Sequence, residues 1–353
     1  MIVYIEAAGC PNFCRHCAAD GRGPYGAHFS LDELYTIREE WGPLTVYFEA
    51  TAHPQFPEIF DPHLAVPHGG HWPTNGFGLA QREDYAVFIE RMYSVGLRTL
   101  HFTIHGLRDH HDWFVCRRGA FDDIVLAGRR ARAAGFQIGW QVYLDRENIA
   151  ALPELVDMSV VETGSTPWLD VPNHRVSRRL WRYEALRPRL ADLRTYPAAD
   201  RIFRDLHRQP PEEMTAVAWL EQWAQATDAV WLRHPFEPPT WPPTEAFDNL
   251  TLYILRNRKV YLDPMCAPRL LLGDLLDGRA AIMDRLQRLA APAYRELAPD
   301  EVTLTSEEGE ELHPACFSVR YKAISKAVFA HEPCATSHSL VWLNERQQHE
   351  RDS

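Results

Sequence analysis

The sequence predicts an α/β fold, and three observations carry that prediction. Short runs rich in strand-forming residues, Ile2 to Ile5, Leu44 to Phe48, Thr99 to Ile104 and Phe136 to Leu144, recur along the first half of the 353-residue chain. Stretches with apolar residues at three- and four-residue intervals separate them, as in Gln81 to Gly96, where Tyr85, Phe88, Ile89 and Met92 fall on one helical face. Glycine- and proline-containing segments punctuate the junctions, so each strand hands over to a loop and then a helix. In such folds the chemistry gathers in the loops at the carboxyl ends of the strands.

The first such loop is the most informative. Gly9 to Cys17 reads Gly-Cys-Pro-Asn-Phe-Cys-Arg-His-Cys, which sets Cys10, Cys14 and Cys17 at the spacing C-x3-C-x2-C. Three thiolates this close bind a metal or a metal cluster. An iron-sulfur cube takes four cysteine ligands, so three leave one iron open to a group that is not protein. With His16 or His28 the same cysteines can also form a tetrahedral Cys3His zinc site, and that alternative stands at this point.

Composition bounds the remainder. A chain of this length with 46% hydrophobic residues can bury one large core and a smaller appendage. A formal net charge of -11 excludes a protein that tracks nucleic-acid phosphates with a basic surface. The chain has seven cysteines and opens without an apolar signal segment, so they read as intracellular thiols or ligands rather than a disulfide framework. No apolar run approaches the ~18 residues of a membrane span. A soluble, cytoplasmic protein is expected.

In order along the chain, the loop Asp20 to Gly26 is too rich in glycine and proline for regular structure and reads as a cover over the cysteines. Ser30 caps the helix Leu31 to Trp41, and Glu33 three residues on completes a capping box. Strand two, Leu44 to Phe48, runs into Glu49-Ala-Thr-Ala-His-Pro-Gln-Phe-Pro-Glu-Ile59. Pro67 to Gly76 follows, closing on Thr74-Asn75-Gly76; its His68 and His71 lack other obvious metal ligands and read as loop residues. Strand four ends in Thr103-Ile104-His105-Gly106, with His110, His111 and Asp112 expected in a polar loop. A strongly patterned helix then runs from Gly119 to Ala134, ahead of strand five and the segment Asp145-Arg-Glu-Asn148. Leu152 to Val156 begins the next helix, and Val160 to Glu162 is predicted as a sixth strand.

At these residues the chain resembles the radical S-adenosylmethionine (SAM) enzymes, whose signature is C-x3-C-x2-C after the first strand of a partial (β/α)6 TIM barrel. The resemblance implies that Cys10, Cys14 and Cys17 hold a [4Fe-4S] cluster and that the amino and carboxylate groups of SAM chelate its open iron. One electron then cleaves SAM to methionine and a 5′-deoxyadenosyl radical. His16 stands where the family usually has an aromatic residue near the adenine. Glu49 matches the glutamate of the family's Gly-Gly-Glu-Pro-like motif, and Thr51, His53, Pro54, Phe56, Pro57, Glu58 and Ile59 match its continuation. A carboxylate suits the ammonium of methionine through a charge-assisted hydrogen bond. Tyr47 and Phe48 replace the two glycines, and Ala50 the proline. Thr103 falls where a hydroxyl often meets the SAM ribose or carboxylate, and Gln141 where a polar side chain often meets the carboxylate. His105 replaces an aspartate. At a barrel mouth an imidazole can be an acid or base, or it can orient a neighbour by hydrogen bonding; the sequence leaves both open.

The likeness covers residues 1–172. Residues 173–245 form a helical, arginine- and then proline-rich bridge. Residues 246–353 resemble a degenerate SPASM or twitch-type auxiliary domain of α+β character, with a hairpin at Leu250 to Leu255 and Lys259 to Asp263, Cys266 after it, and Gly273 to Leu275 at a turn. Cys316 and Cys334 are isolated, so a second cluster is not expected. Without that electron sink, redox-neutral outcomes are favoured, namely epimerisation, rearrangement or elimination. Cys266 and Cys116 are the candidate hydrogen donors, with the alternative for each that it is a small buried hydrophobe. The expected enzyme acts on a small natural-product intermediate, since no peptide-recognition domain precedes strand one, and takes its electron from a flavodoxin or ferredoxin. A peptide-modifying enzyme and a zinc scaffold are the competing classes.

Overall fold

The computed structural model describes residues 1–15, 28–47, 49–65, 69–170, 250–262, 270–289, 304–305 and 311–312. His16, Cys17, His68, Cys266, Cys316, Cys334 and the bridging segment lie outside these residues.

Two sheets organise the chain. The first has the order β2-β1-β7-β8-β9, where β1 is Ile2–Ile5, β2 Leu44–Val46, β7 Thr251–Ile254, β8 Lys259–Tyr261 and β9 Leu271–Asp274. In it β1 pairs in parallel with both β2 and β7, while β7, β8 and β9 form an antiparallel meander. The second sheet is wholly parallel, in the order β3 (His71–Thr74), β4 (Thr99–Ile104), β5 (Gln137–Tyr143) and β6 (Trp168–Asp170). A single parallel bridge from Leu44 to Ala65 lies beyond the outer edge of β2. The mixed α/β architecture with parallel strands and intervening helices is that of a partial barrel; no closed barrel forms among the described residues. A short antiparallel pair, β10 (Leu304–Thr305) with β11 (Glu311–Leu312), completes the described strands.

Period-two alternation assigns the two faces of these strands. Val3, Ile5, Leu44, Leu100, Phe102, Ile104, Trp140, Val142, Leu252 and Ile254 are buried in one contiguous core with the helices. The residues between them, Tyr4, Tyr253, Thr103 and Gln141, are only half-buried and line the opposite face. There Tyr4 stacks on Tyr253, with ring centroids 5.2 Å apart, and Tyr47 meets both edge-on.

The first helix begins where the sequence provides a cap. In α1 (Leu31–Trp41) the capping box is complete, Glu33 N donating to Ser30 Oγ and Ser30 N to the Glu33 carboxylate, and Leu34, Ile37 and Trp41 are buried. The predicted helix from Gln81 to Gly96 is found as α3 (Tyr85–Ser94), while Gln81 ends a separate short helix, α2 (Phe77–Gln81). Between them Arg82 donates through Nε and Nη2 to the two carboxylate oxygens of Asp84 at 2.8 and 2.7 Å. Side chains two apart do not face each other on a helix, so this fork belongs to a break.

Two further expectations are corrected. His110, His111 and Asp112 do not form a loop but lie on α4 (Arg108–Phe114), with His111 buried. Val160 to Glu162 is not a strand: it closes α6 (Leu152–Thr163), whose end is fixed by Gly164 at φ 80°, donating to Val160 O. The sixth strand comes later, at Trp168–Asp170. Helix α5 (Ala120–Ala133) matches its prediction and packs between α2 and β4. Helix α7 (Gly278–Arg288) lies on β9, and Arg279 N donates to Glu40 Oε1 at 2.5 Å, joining the last described helix to α1. Among the described residues no helix is long and apolar enough to cross a membrane.

Candidate active site at the carboxyl ends of the strands

The loops after β1, β2 and β3 converge on one polar cluster. Its centre is Glu49, 6% exposed. Thr74 donates its hydroxyl to Oε1 at 2.8 Å, Thr51 donates its hydroxyl to the same oxygen, and Asn75 N donates to Oε2 at 2.5 Å. Thr51 and Thr74 also meet each other at 3.0 Å. Burial pushes the Glu49 carboxyl above its ordinary pKa, and these hydroxyl and amide donors pull against that shift without cancelling it. Among the described residues no basic side chain pairs with it.

The same Asn75 reaches the cysteine loop. Its Nδ2 donates to Cys10 Sγ at 3.3 Å, while its Oδ1 accepts from Phe77 N at 3.0 Å at the start of α2. Gly76, at φ 78°, makes the turn, and its N donates to Thr74 Oγ1. A chain of carboxylate, amide and thiol therefore links residues 26 and 65 positions apart in sequence.

The cysteine loop rests on the turn after α4. Phe13 N donates to Val115 O at 2.8 Å and Arg15 N to Phe114 O at 2.9 Å. The Arg15 guanidinium lies 4.0 Å from the Trp113 ring centre. Beneath it Arg117 donates to Asn12 Oδ1 at 2.6 Å and pairs with Asp123 at 2.5 Å, whose other oxygen accepts from Gln81 Nε2. Cys10 and Cys14 are both half-buried. Cys116, also half-buried and at φ 53°, is on this supporting turn, with Sγ 3.7 Å from Trp113 O.

On the segment that leads into α1, Phe29 is held by His53, which is fully buried. Its Nε2 donates to Phe29 O at 2.7 Å and Nδ1 accepts from Gln55 N at 3.0 Å, an arrangement that requires the neutral ring; burial lowers its pKa to about 4. Further round, Thr103 and Gln141 are register partners on adjacent strands and share the half-buried face, with Trp168 beside Gln141. His105 is placed differently from a mouth residue. It is 2% exposed, and its ring stacks on Phe114 at 4.3 Å and on Tyr143 at 5.6 Å. Its backbone N donates to His111 Nδ1, and burial lowers His111 to about 3.

The structure thus joins Cys10 to Glu49 and sets Thr103 beside Gln141. Asn75, Arg117 and Asn12 escaped the sequence reading as site residues. Thr74-Asn75-Gly76 was a visible signal for the first; nothing local marks the other two.

The residues present fit an iron-sulfur cluster with SAM. The donor set is sulfur, an amide N–H is aimed at one of those sulfurs, and the backbone of that same amide residue holds a buried carboxylate that, among the described residues, has no cationic side chain on it.

The fold defined by these strands and loops has counterparts among solved structures. Among solved structures it is similar to native anSMEcpe with bound AdoMet, at TM-score 0.50 and 12% identity, over 97% of this chain and 99% of that chain. A histidine-tagged form of anSMEcpe with bound AdoMet is similar at TM-score 0.49 and 12% identity, over 97% and 95%. No protein-family model matches the chain, and no curated protein matches it in sequence.

Proposed function

We propose that this chain is a radical SAM enzyme in which Cys10, Cys14 and Cys17 ligate a [4Fe-4S] cluster and Glu49 receives the ammonium of SAM. The observation that carries the reading is the buried Glu49 carboxylate tied through Asn75 to Cys10 Sγ. When bound, the cluster and SAM supply a one-electron cleavage whose product abstracts hydrogen from a substrate. The protein's own residues do the rest. Glu49 presents a desolvated negative charge whose raised pKa falls again when a cation sits beside it. Thr51, Thr74 and Asn75 fix its orientation, and Thr103 with Gln141 offers a hydroxyl and an amide on the half-buried face for the carboxylate or ribose of SAM. The similarity in fold to a protein that holds AdoMet supports this assignment.

The substrate in this reading is a small natural-product intermediate and the outcome redox-neutral. In an epimerisation a thiol gives a hydrogen atom to the substrate radical and becomes a thiyl radical, which an external reductant returns to the thiol. Cys116 is the described thiol suited to that step, because it lies on the turn to which the cysteine loop is hydrogen-bonded. Electrons come from a flavodoxin or ferredoxin-type donor.

Anaerobic reconstitution with iron and sulfide, followed by addition of SAM and dithionite, tests the reading. The expected result is about four irons per chain and release of 5′-deoxyadenosine. Replacing Cys10, Cys14 and Cys17 together by alanine abolishes both. An intact protein that takes up zinc but no iron, or a triple variant that still cleaves SAM, overturns it.

A further inference from the structure

We infer that Asn75 sets the reduction potential of the cluster by donating a hydrogen bond to the Cys10 thiolate, so that one residue both orients Glu49 and makes the cluster easier to reduce. The inference rests on the ligand assignment proposed above for Cys10. Three contacts fix the side chain. Asn75 Oδ1 accepts from Phe77 N at 3.0 Å, which turns the NH2 end away from α2 and toward Cys10 Sγ at 3.3 Å. The backbone N is held by Glu49 Oε2 at 2.5 Å, and the turn is locked by Gly76 N on Thr74 Oγ1. The amide therefore has one orientation that satisfies both ends, with its donor on sulfur.

Reduction puts additional negative charge on the ligating sulfurs. A donor aimed at a thiolate stabilises the reduced form more than the oxidised one and raises the potential, one of the levers by which proteins spread such potentials over a wide range. Asn75 Nδ2 meets a cysteine sulfur directly. Of the described residues, Arg15 is stacked on Trp113 and Arg117 is committed to Asn12 and Asp123, so both serve other ends.

The test is a redox titration of reconstituted wild type, Asn75→Ala and Asn75→Asp, followed by the electron paramagnetic resonance signal of the reduced cluster, with iron per chain measured on each. Asn75→Asp keeps an acceptor for Phe77 N but sets a carboxylate against the sulfur; Asn75→Ala removes the donor without adding charge. The expected midpoint potentials fall in the order wild type, alanine, aspartate, at equal iron content. If the aspartate variant takes up less iron, the alanine variant decides: a lower potential supports the assignment and an unchanged one overturns it. Failure of both variants to load iron that the wild type binds also overturns it, in favour of a structural role. A wild type that binds no iron refutes the ligand assignment instead, so the two failures are distinguishable.

Discussion

Arg117→Ala is expected to destabilise the protein by about 4 kcal/mol, although residue 117 is neither a ligand nor near the half-buried face. The guanidinium bonds Asn12 Oδ1 at 2.6 Å and Asp123 Oδ2 at 2.5 Å, and the side chains of Arg117 and Asp123 are 14% and 7% exposed. Deleting one partner of a buried pair leaves an uncompensated charge, which costs about 3–5 kcal/mol. Gln81 Nε2 on the other Asp123 oxygen relieves part of that, while the orphaned Asn12 carbonyl, itself buried, adds about 1–3 kcal/mol. The assay is urea denaturation of the anaerobic, metal-free chain, in a cycle with Asp123→Asn. Because Asp123→Asn removes the charge that the alanine substitution strands, the double variant should be at least about 2 kcal/mol more stable than the sum of the single effects predicts. A loss under about 1 kcal/mol for Arg117→Ala, or additive effects within about 0.5 kcal/mol, refutes the reasoning. Since Asn12 lies between Cys10 and Cys14, the variant should also lose iron faster to a chelator.

Gly78→Ala would place a Cβ 2.2 Å from Thr51 O, a backbone atom that cannot rotate away, so we expect a loss of about 1–3 kcal/mol and a weaker hold on SAM through the displaced Thr51 hydroxyl; a wild-type melting curve would show that α2 has slack here. Glu49→Gln keeps the shape and several hydrogen bonds while discarding the charge. Its stability should stay within about 1 kcal/mol of wild type, whereas SAM binding to the iron-loaded protein, measured by equilibrium dialysis, should weaken about 10- to 100-fold, the equivalent of one charge-assisted hydrogen bond. Stability should also fall with acid. His53 and His111 each accept a backbone N–H on Nδ1 and have pKa values lowered from 6.5 to about 4 and about 3. The unfolded chain therefore binds more protons than the folded one below pH 6.5; stability is full above that value and is lost as pH falls toward the folded pKa values. Between about pH 7 and 5 the two histidines together account for about 3–4 kcal/mol. His53→Gln should remove roughly half of that slope in urea titrations at the two pH values, and an unchanged slope would contradict the assignment.

What the sequence revealed was whatever is encoded within a few residues. Ser30 and Glu33 announced α1 because a capping box is a local signal, and β1, β4 and β5 were visible because their alternation is carried on a single strand. The errors have tertiary causes. His110-His111-Asp112 looks polar, yet α4 is held by contacts made far off: His111 Nδ1 receives the backbone N–H of His105, and His110 Nε2 meets Asp145 at 2.7 Å. The branched pair Val160-Val161 suggests a strand, but the helical bonding to Gly164 overrides that preference. Of the candidate site, Cys10 and Cys14 stood out by their spacing and Glu49 by resemblance. The bond from Asn75 to Cys10 was not, because no local rule relates residues 65 apart. Pairing of β7 with β1 was hidden for the same reason, with about 250 residues between them.

The position of Glu49 also explains how the chain can carry Tyr47 where the resemblance leads one to expect a glycine. Tyr47 belongs to the ring cluster with Tyr4 and Tyr253, so this position serves packing. Every described contact to the carboxylate comes from residues after it, Thr51 on the following turn and Thr74 and Asn75 at the end of β3. Those contacts do a second job. β2 and β3 lie in different sheets, and the Glu49, Thr51 and Thr74 side chains bond directly across the gap between them. A buried polar network of this kind is rigid only when complete, and a single missing donor leaves the others unsatisfied in a medium of low dielectric. The Glu49 carboxylate is consequently held by the same hydrogen bonds that join the two sheets, and its geometry cannot relax without loosening the fold at that seam.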